Sequence, residues 1–262
     1  MSRGWALITG ATGGLGGAIA ARLAQRGHPL LLVGRNAQTL DAMRARLQHD
    51  AEVVVACIRL DLSTPRAAES LLAAVDGRPL SVVVLAAAAY ACGRQAALPP
   101  EQHDVLLRCN VQNTARLLNG LLARLDAAGQ GRMLAVGSLG ALMPAPNHAA
   151  YSASKAWLHQ FVVSLQAERR HHRVTLTLAC PGGMATPMLL DSPAWPRLRR
   201  NPLVWAAVLS PEDAARQLLR AMDAGRLRVV PGRINRMILL SIRLLPHGLG
   251  IRLSAWLYGQ PD

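Results

Sequence analysis

Aromatic side chains are scarce in this chain. Phe, Trp and Tyr make up 3% of its 262 residues, with one Phe and three Tyr, so Leu, Val and Ala must fill the core. Lysine is scarcer still: Lys155 stands alone, and every other basic residue is Arg or His. Acidic residues number 15 against a Lys+Arg total of 29, for a formal net charge of +14. No basic block or interleaved aromatic patch marks a nucleic-acid groove, so nucleic acid is set aside as a partner. The charge suits a phosphorylated cofactor, an acidic carrier protein or a membrane surface; biased base composition would produce it equally well.

Cysteines number four (Cys57, Cys92, Cys109 and Cys180), without a C-x-x-C pair or a His cluster at zinc-like spacing. The reading is no metal site and reduced, buried thiols of a cytoplasmic protein. No apolar run reaches transmembrane length, and the start of the chain is too short in apolar residues for a signal peptide. With 17% charged and 51% hydrophobic residues, long disordered tails are not expected.

What is present is an alternation of short apolar runs with longer amphipathic stretches. Strands are expected at 5–9, 30–34, 53–58, 81–86, 133–137 and 175–179, with a seventh at 227–230. Helices are expected at 14–26, 37–49, 65–75, 110–127 and 150–170. The strands are apolar throughout rather than alternating, as when both faces of a parallel sheet are covered. The pattern predicts an α/β doubly wound parallel sheet, with its ligand site at the carboxyl ends of the strands. Ser210-Pro-Glu-Asp213 opens a further helix: Ser210 caps it, Pro211 suits its first position and Asp213 its positive end.

Thr9-Gly-Ala-Thr-Gly-Gly-Leu-Gly16 joins the first strand to the first helix. Glycines let the backbone turn sharply and approach a ligand, and the helix start offers N–H groups and positive potential to phosphates. Strand before and helix after strengthen an otherwise weak motif. The spacing Thr-Gly-x-x-x-Gly-x-Gly resembles the short-chain dehydrogenase/reductase family, over about residues 4–230. The resemblance implies a Rossmann-type sheet of about seven strands and cofactor contacts from Gly10, Thr12, Gly14, Leu15 and Gly16. The second strand ends Val33-Gly34-Arg35-Asn36. An acid at this turn would bind the ribose hydroxyls of NAD. Arg35 stands there instead, and a guanidinium pairs well with a 2′-phosphate, so NADP(H) is preferred over NAD(H). The family's second basic residue is missing from the glycine turn, where Gly13 stands. Asp61 and Leu62 match the position that meets the adenine ring.

Tyr151-Ser-Ala-Ser-Lys155 places a phenol and an ammonium four residues apart, on one helix face. A free phenol has a pKa of about 10, and a nearby cation favours its ionised form; such tuning suits an acid/base group. Ser138, thirteen residues before Tyr151, matches the family serine that hydrogen-bonds the substrate oxygen. Asn110 matches the asparagine whose position holds a water for proton relay, completing a tetrad. Pro181, Gly182, Met184 and Thr186 match the family's Pro-Gly-x-x-x-Thr, where Thr186 and the Met184 backbone hold the nicotinamide carboxamide. One departure stands out. Leu85–Ala88 occupies the place of the family's Asn-Asn-Ala-Gly, so no side-chain amide braces that loop, although the backbone of Ala86 and Ala87 can still reach the adenosine ribose.

The resemblance thus implies an oxidoreductase, with residues 1–231 as the dinucleotide-binding catalytic domain and about 187–209 as its substrate lid. That lid is apolar with an arginine cluster, which suits a hydrophobic ketone, including a 3-oxoacyl or polyketide thioester on an acidic carrier protein; a solvated basic loop is the equal alternative. Residues 232–262 form an extension. On a helical wheel its Arg233, Arg236 and Arg243 fall opposite Ile234, Ile238, Ile242 and Leu245, and Pro246 interrupts the helix. Packing on its own domain, contact with a sister subunit, a cover over the substrate pocket and peripheral membrane contact through 232–259 all fit. A homodimer or homotetramer follows from the resemblance. The alternative from another class is a non-catalytic NADP-binding sensor or scaffold.

Overall fold

A computed structural model describes residues 4–169 and 173–258. Among them seven strands form one sheet: β1 (Trp5–Thr9), β2 (Leu30–Gly34), β3 (Val55–Arg59), β4 (Leu80–Leu85), β5 (Arg132–Val136), β6 (Thr175–Ala179) and β7 (Arg228–Val229). Their order is β3-β2-β1-β4-β5-β6-β7, and every pairing is parallel. The order reverses between β1 and β4, which opens a crevice at the carboxyl ends of these strands. The helices are α1 (Gly14–Gln25), α2 (Ala37–Ala51), α3 (Ala67–Ala74), α4 (Pro100–Leu107), α5 (Thr114–Ala127) and α6 (Ala149–Glu168). After β6 come α7 (Pro187–Leu190), α8 (Trp195–Leu198), α9 (Pro202–Ala207), α10 (Pro211–Asp223), α11 (Arg233–Leu244) and α12 (His247–Tyr258).

Strand residues alternate between two cores. Leu7, Leu31, Val33 and Val83 face α3, α5 and α6. Ala6, Ile8, Leu30, Leu32 and Val84 face α1, α2 and α10. Both faces are therefore dry, which is why these strands are apolar at every position. A third, smaller cluster joins Leu139 and Met143 to Leu239 and Ile242 of α11, with Val204 of α9 and Leu253 of α12 beside it. This cluster fastens the C-terminal helices over the strand ends. The Ser210 cap is present: its hydroxyl accepts from the Asp213 backbone N–H at 3.1 Å.

Two elements differ from the sequence expectation. The helix expected at 110–127 is preceded by α4 and by a wide π turn over Arg108–Asn113. Residues three apart share a face of a regular helix, whereas a π turn spreads them. Buried Asn110 and Asn113 then reach different loops, Asn110 at Ala89 and Asn113 at Leu62 and Thr64. In the extension, Ile242 is buried and Ile234 and Ile238 half-buried, but Leu245 is exposed. Met237, Leu240 and Leu244 form an exposed apolar stripe beside the arginines, so α11 has three faces rather than two. Arg170, at the end of an expected helix, and Gly259, at the end of the amphipathic extension, lie outside the described residues.

Candidate active site

A cleft of about 510 Å³ lies over the carboxyl ends of β1, β4, β5 and β6. Its first end is the glycine turn. Gly10 has φ +66°, and a Cβ there would fall 2.8 Å from the Ala87 backbone. A Cβ on Gly16 would fall 2.2 Å from the Gly10 carbonyl oxygen. The turn therefore keeps a bare backbone cradle open to a ligand. Gly13 is the N-cap of α1, with no side-chain cap and no acid in the first turn, so the positive helix end faces the cleft uncompensated. Thr12, Gly14, Leu15 and Gly16 line it. These features fit the pyrophosphate of a dinucleotide.

Arg35 lines the cleft just past β2. The β2–β3 register pairs Gly34 with Arg59, and Arg35 and Arg59 line one shallow depression. Arg59 thus supplies a second guanidinium where the glycine turn has none. Sequence reading missed it because only the strand register brings β3's last residue beside the β2 turn. Asp61 and Leu62 also line the cleft. One Asp61 carboxylate oxygen accepts from the Ser63 backbone N–H at 2.8 Å and from its hydroxyl at 2.7 Å. Asn113 donates to the Leu62 and Thr64 carbonyls, pinning this loop from below.

The loop after β4 lacks the family's amides, yet it is braced from outside. Ala87 N–H donates to the Thr9 hydroxyl at 3.2 Å. Asn110 accepts from Ala89 N–H at 2.8 Å and donates to the Ala89 carbonyl at 2.9 Å. Its remaining donor reaches the Ser154 hydroxyl on α6 at 3.0 Å. The Asn110 side chain is thus committed to tying this loop to α6. Ala86 and Ala87 line the cleft, whereas Leu85 ends β4 and is buried in the core.

Ser138, Tyr151 and Lys155 converge at the centre of the cleft. Ser138 leaves β5 in extended conformation, and its hydroxyl accepts from Gly140 N–H at 3.1 Å. Burial pushes the Tyr151 phenol up, and a hydrogen bond with Ser138 opposes that shift. Lys155 is buried, its ammonium donating to the Val136 carbonyl at 3.0 Å. Burial lowers its pKa to about 8, although the Cys109 and Cys180 thiols pull it upward. The ammonium stands 5.9 Å from the Tyr151 ring centre. Pro181, Gly182, Met184 and Thr186 line the adjoining wall. Leu209 N–H donates to the Gly183 carbonyl and Ala185 N–H to the Leu209 carbonyl, so both ends of the intervening lid are anchored together.

A second polar group at the cleft was not anticipated. The Tyr90 hydroxyl lies 2.6 Å from His148 Nε2 and 3.2 Å from the Ser192 hydroxyl. His148 Nδ1 faces the Pro146 carbonyl at 2.9 Å and so carries a proton. The Tyr90 ring meets the Tyr151 ring edge-on at 5.1 Å. Three separate segments are thereby joined: the loop after β4, the start of α6 and the lid. Burial would raise the Cys92 thiol, but its hydrogen bond and charge interaction with His148, with help from Ser192 and Tyr90, bring it below its ordinary value. Buried Asn235 of α11 also lines the cleft, holding the Ala207 and Pro231 carbonyls. The only sequence signal was the rarity of tyrosine, with Tyr90 one of three.

The family described as short chain dehydrogenase matches residues 4–197. The chain belongs to this short-chain dehydrogenase/reductase family and has its oxidoreductase fold. A 7beta-hydroxysteroid dehydrogenase of Clostridium sardiniense is 25% identical over 232 residues, covering 88% of this chain and 87% of the relative. A solved structure concerned with 7beta-hydroxysteroid dehydrogenase stereoselectivity superposes with TM-score 0.86 at 23% identity, covering 96% of each chain. A short-chain dehydrogenase from Sphingobium yanoikuyae in complex with NADPH superposes with TM-score 0.79 at 25% identity, covering 94% of each. No helix of the described residues is long and apolar enough to cross a membrane.

Proposed function

We propose that this protein is an NADP(H)-dependent oxidoreductase acting between a bulky, largely apolar ketone and its secondary alcohol. The observation that carries this reading is the convergence of Ser138, Tyr151 and Lys155 in the cleft that also holds the bare glycine cradle. When bound, the nicotinamide supplies or accepts the hydride. Tyr151 holds the proton that the substrate oxygen gains or loses, and Ser138 hydrogen-bonds that oxygen. Lys155, with one donor already on the Val136 carbonyl, would offer its other donors to the cofactor ribose, and its charge, 5.9 Å from the Tyr151 ring centre, would work against the rise that burial imposes on that phenol. Asn110 contributes by position, holding the loop at Ala89 against α6.

Arg35 and Arg59 support the preference for NADP(H): among the described residues, the depression beside the β2 turn is lined by two guanidiniums and no carboxylate, which favours a 2′-phosphate over bare hydroxyls. Residues 1–231 make up the catalytic unit, with 187–209 as its lid, and 232–262 extend it by placing Asn235 and Ile238 on the cleft. The substrate side of the cleft is walled by Met143, Leu198, Val204 and Ile238, which suits a broad apolar compound. The hydroxysteroid named for the relatives is one such class.

NADPH oxidation should be screened against bulky ketones, sterol-like ketones and acyl thioesters, and repeated with NADH. Turnover of a bulky ketone is expected, with NADPH preferred. Tyr151→Phe should then lower turnover about 10²–10⁴-fold while NADPH still binds. Tight NADPH binding without turnover of any carbonyl would turn the reading to a cofactor sensor.

A further inference from the structure

The helices covering the cleft carry large apolar side chains that stand mostly in solvent. On α11, Met237, Leu240 and Leu244 are 67%, 57% and 76% exposed. Their spacing places them on one stripe, away from the buried Asn235, Leu239 and Ile242. Trp256 of α12 and Trp205 of α9 are each 59% exposed, Trp205 leaning by one edge on Trp195 of α8, 5.6 Å between ring centres. These helices are neighbours: α11 packs on α9 and α12. Isolated exposed apolar residues are ordinary, but a group spread over three packed helices marks a contact surface.

Charge identifies the occupant. Between Asp223 and Asp262 the chain has no acidic residue, yet it has Arg226, Arg228, Arg233, Arg236, Arg243 and Arg252. Arg233, Arg236, Arg243 and Arg252 are all exposed. A second copy docked symmetrically by this face would set arginine against arginine with no carboxylate to receive either. A lipid surface with anionic headgroups offers hydrocarbon for the stripe and phosphates for the guanidiniums. Arginines flanking an apolar stripe, with tryptophan nearby, are what a helix lying in that interface requires.

We propose that α11 and α12 dock this protein on an anionic lipid surface, Met237, Leu240, Leu244 and Trp256 entering the acyl boundary and the arginines lying among the headgroups. The inner face of α11 supplies Ile238 to the cleft, so the docked helix separates lipid from the substrate chamber. The proposal does not depend on which substrate the cleft takes.

The full chain should be floated with vesicles of phosphatidylcholine and with vesicles of equal phosphatidylcholine and phosphatidylglycerol. Flotation with the mixed vesicles, absence from the neutral ones and release by high salt are expected. Leu240→Asp with Leu244→Asp should lower vesicle binding at least tenfold, roughly the effect of removing two apolar anchors. Arg236→Gln and Arg252→Gln should each lower it about fivefold. Unchanged thermal unfolding in solution would show that these exposed positions do not act through the fold. A chain that stays in the soluble fraction with both vesicle types overturns the proposal. So does sedimentation in which the double variant breaks a stable assembly of the unmodified chain, since that result gives the face to a second copy. None of these readouts uses activity, so they stand apart from the test of the oxidoreductase reading.

Discussion

The two ends of the cleft are built from different materials. Under β1 and β2 the wall is largely backbone: the turn at Gly10, the close approach of Gly16 to the Gly10 carbonyl and the uncapped start of α1. Under α6 and the lid the wall is side chains, and Tyr90 meets a serine 102 residues further along the chain. Backbone geometry serves one kind of ligand, because phosphates are met by N–H groups whatever the side chains. Side chains gathered from separate segments can change what is bound without disturbing that cradle. Lys155 sits where the two regimes meet. Substitutions at the first end should therefore act on the cofactor, and those at the second on the substrate.

Lys155→Met tests the junction and carries the largest expected effect, a loss of turnover of about 10²–10⁴-fold. Its stability effect should have the opposite sign. Burial lowers the ammonium from 10.5 to about 8, so the folded protein binds fewer protons than the unfolded chain between those pH values. Stability then rises with pH across that window, and the full cost of the buried charge is felt below pH about 8. That cost is about 3 kcal/mol, partly offset by the hydrogen bond to Val136. Lys155→Met should thus unfold at an equal or higher temperature than the parent at neutral pH. A large fall in Tm would mean that the lysine is a structural anchor as much as a site residue.

Gly16→Ala should break the backbone end alone. The Gly10 carbonyl oxygen that the new methyl meets at 2.2 Å belongs to the turn itself, and overpacking of this kind costs about 1–3 kcal/mol. NADPH binding, followed by fluorescence titration, should weaken by at least tenfold, roughly the low end of that cost. Unaltered binding would show that the turn relaxes and that the cradle is less rigid than its contacts imply.

Legibility in the sequence follows the same division. The glycine turn, Tyr151 with Lys155 and the apolar strands are local patterns: three strands have the expected bounds, and the other four differ by one or two residues at each end. Arg59 was hidden because its neighbour across the sheet is set by register rather than by spacing. Tyr90, His148 and Ser192 were hidden because each is an ordinary loop or cap residue until the lid folds back. The π turn was hidden because its purpose, turning Asn110 and Asn113 toward different loops, depends on tertiary partners. The missing amides after β4 looked like a loss, but Thr9 and Asn110 brace that loop from other elements.

Arg35→Ala sharpens the cofactor end further. Removing one of two guanidiniums from an exposed phosphate site should raise the KM for NADPH about tenfold and leave that for NADH unchanged. Equal effects on both cofactors would assign Arg35 to the adenine or ribose rather than to a phosphate. With Arg59→Ala added, the preference should fall again, since the two residues line one depression.

Tyr90→Phe probes the side-chain end and should have the smallest effect. The phenol can keep its bonds in either protonation state of His148. With neutral imidazole, Tyr90 donates to Nε2 and accepts from Ser192; with imidazolium, Nε2 donates to Tyr90, which donates to Ser192. Burial alone would lower the His148 pKa, but Cys92 and the Pro146 carbonyl outweigh it and raise the value, so the reversal falls above the ordinary histidine value. In the parent the lid tie therefore survives titration, and the substrate KM should vary little as His148 changes charge. In Tyr90→Phe the tie to Ser192 is gone, at a cost of about 1 kcal/mol. The substrate KM should rise roughly fivefold, with NADPH affinity unchanged. Because the Tyr90 ring still packs edge-on against Tyr151 in the variant, turnover at saturating substrate should hold; a fall in kcat instead would place the Tyr90 hydroxyl in the proton path rather than in the lid.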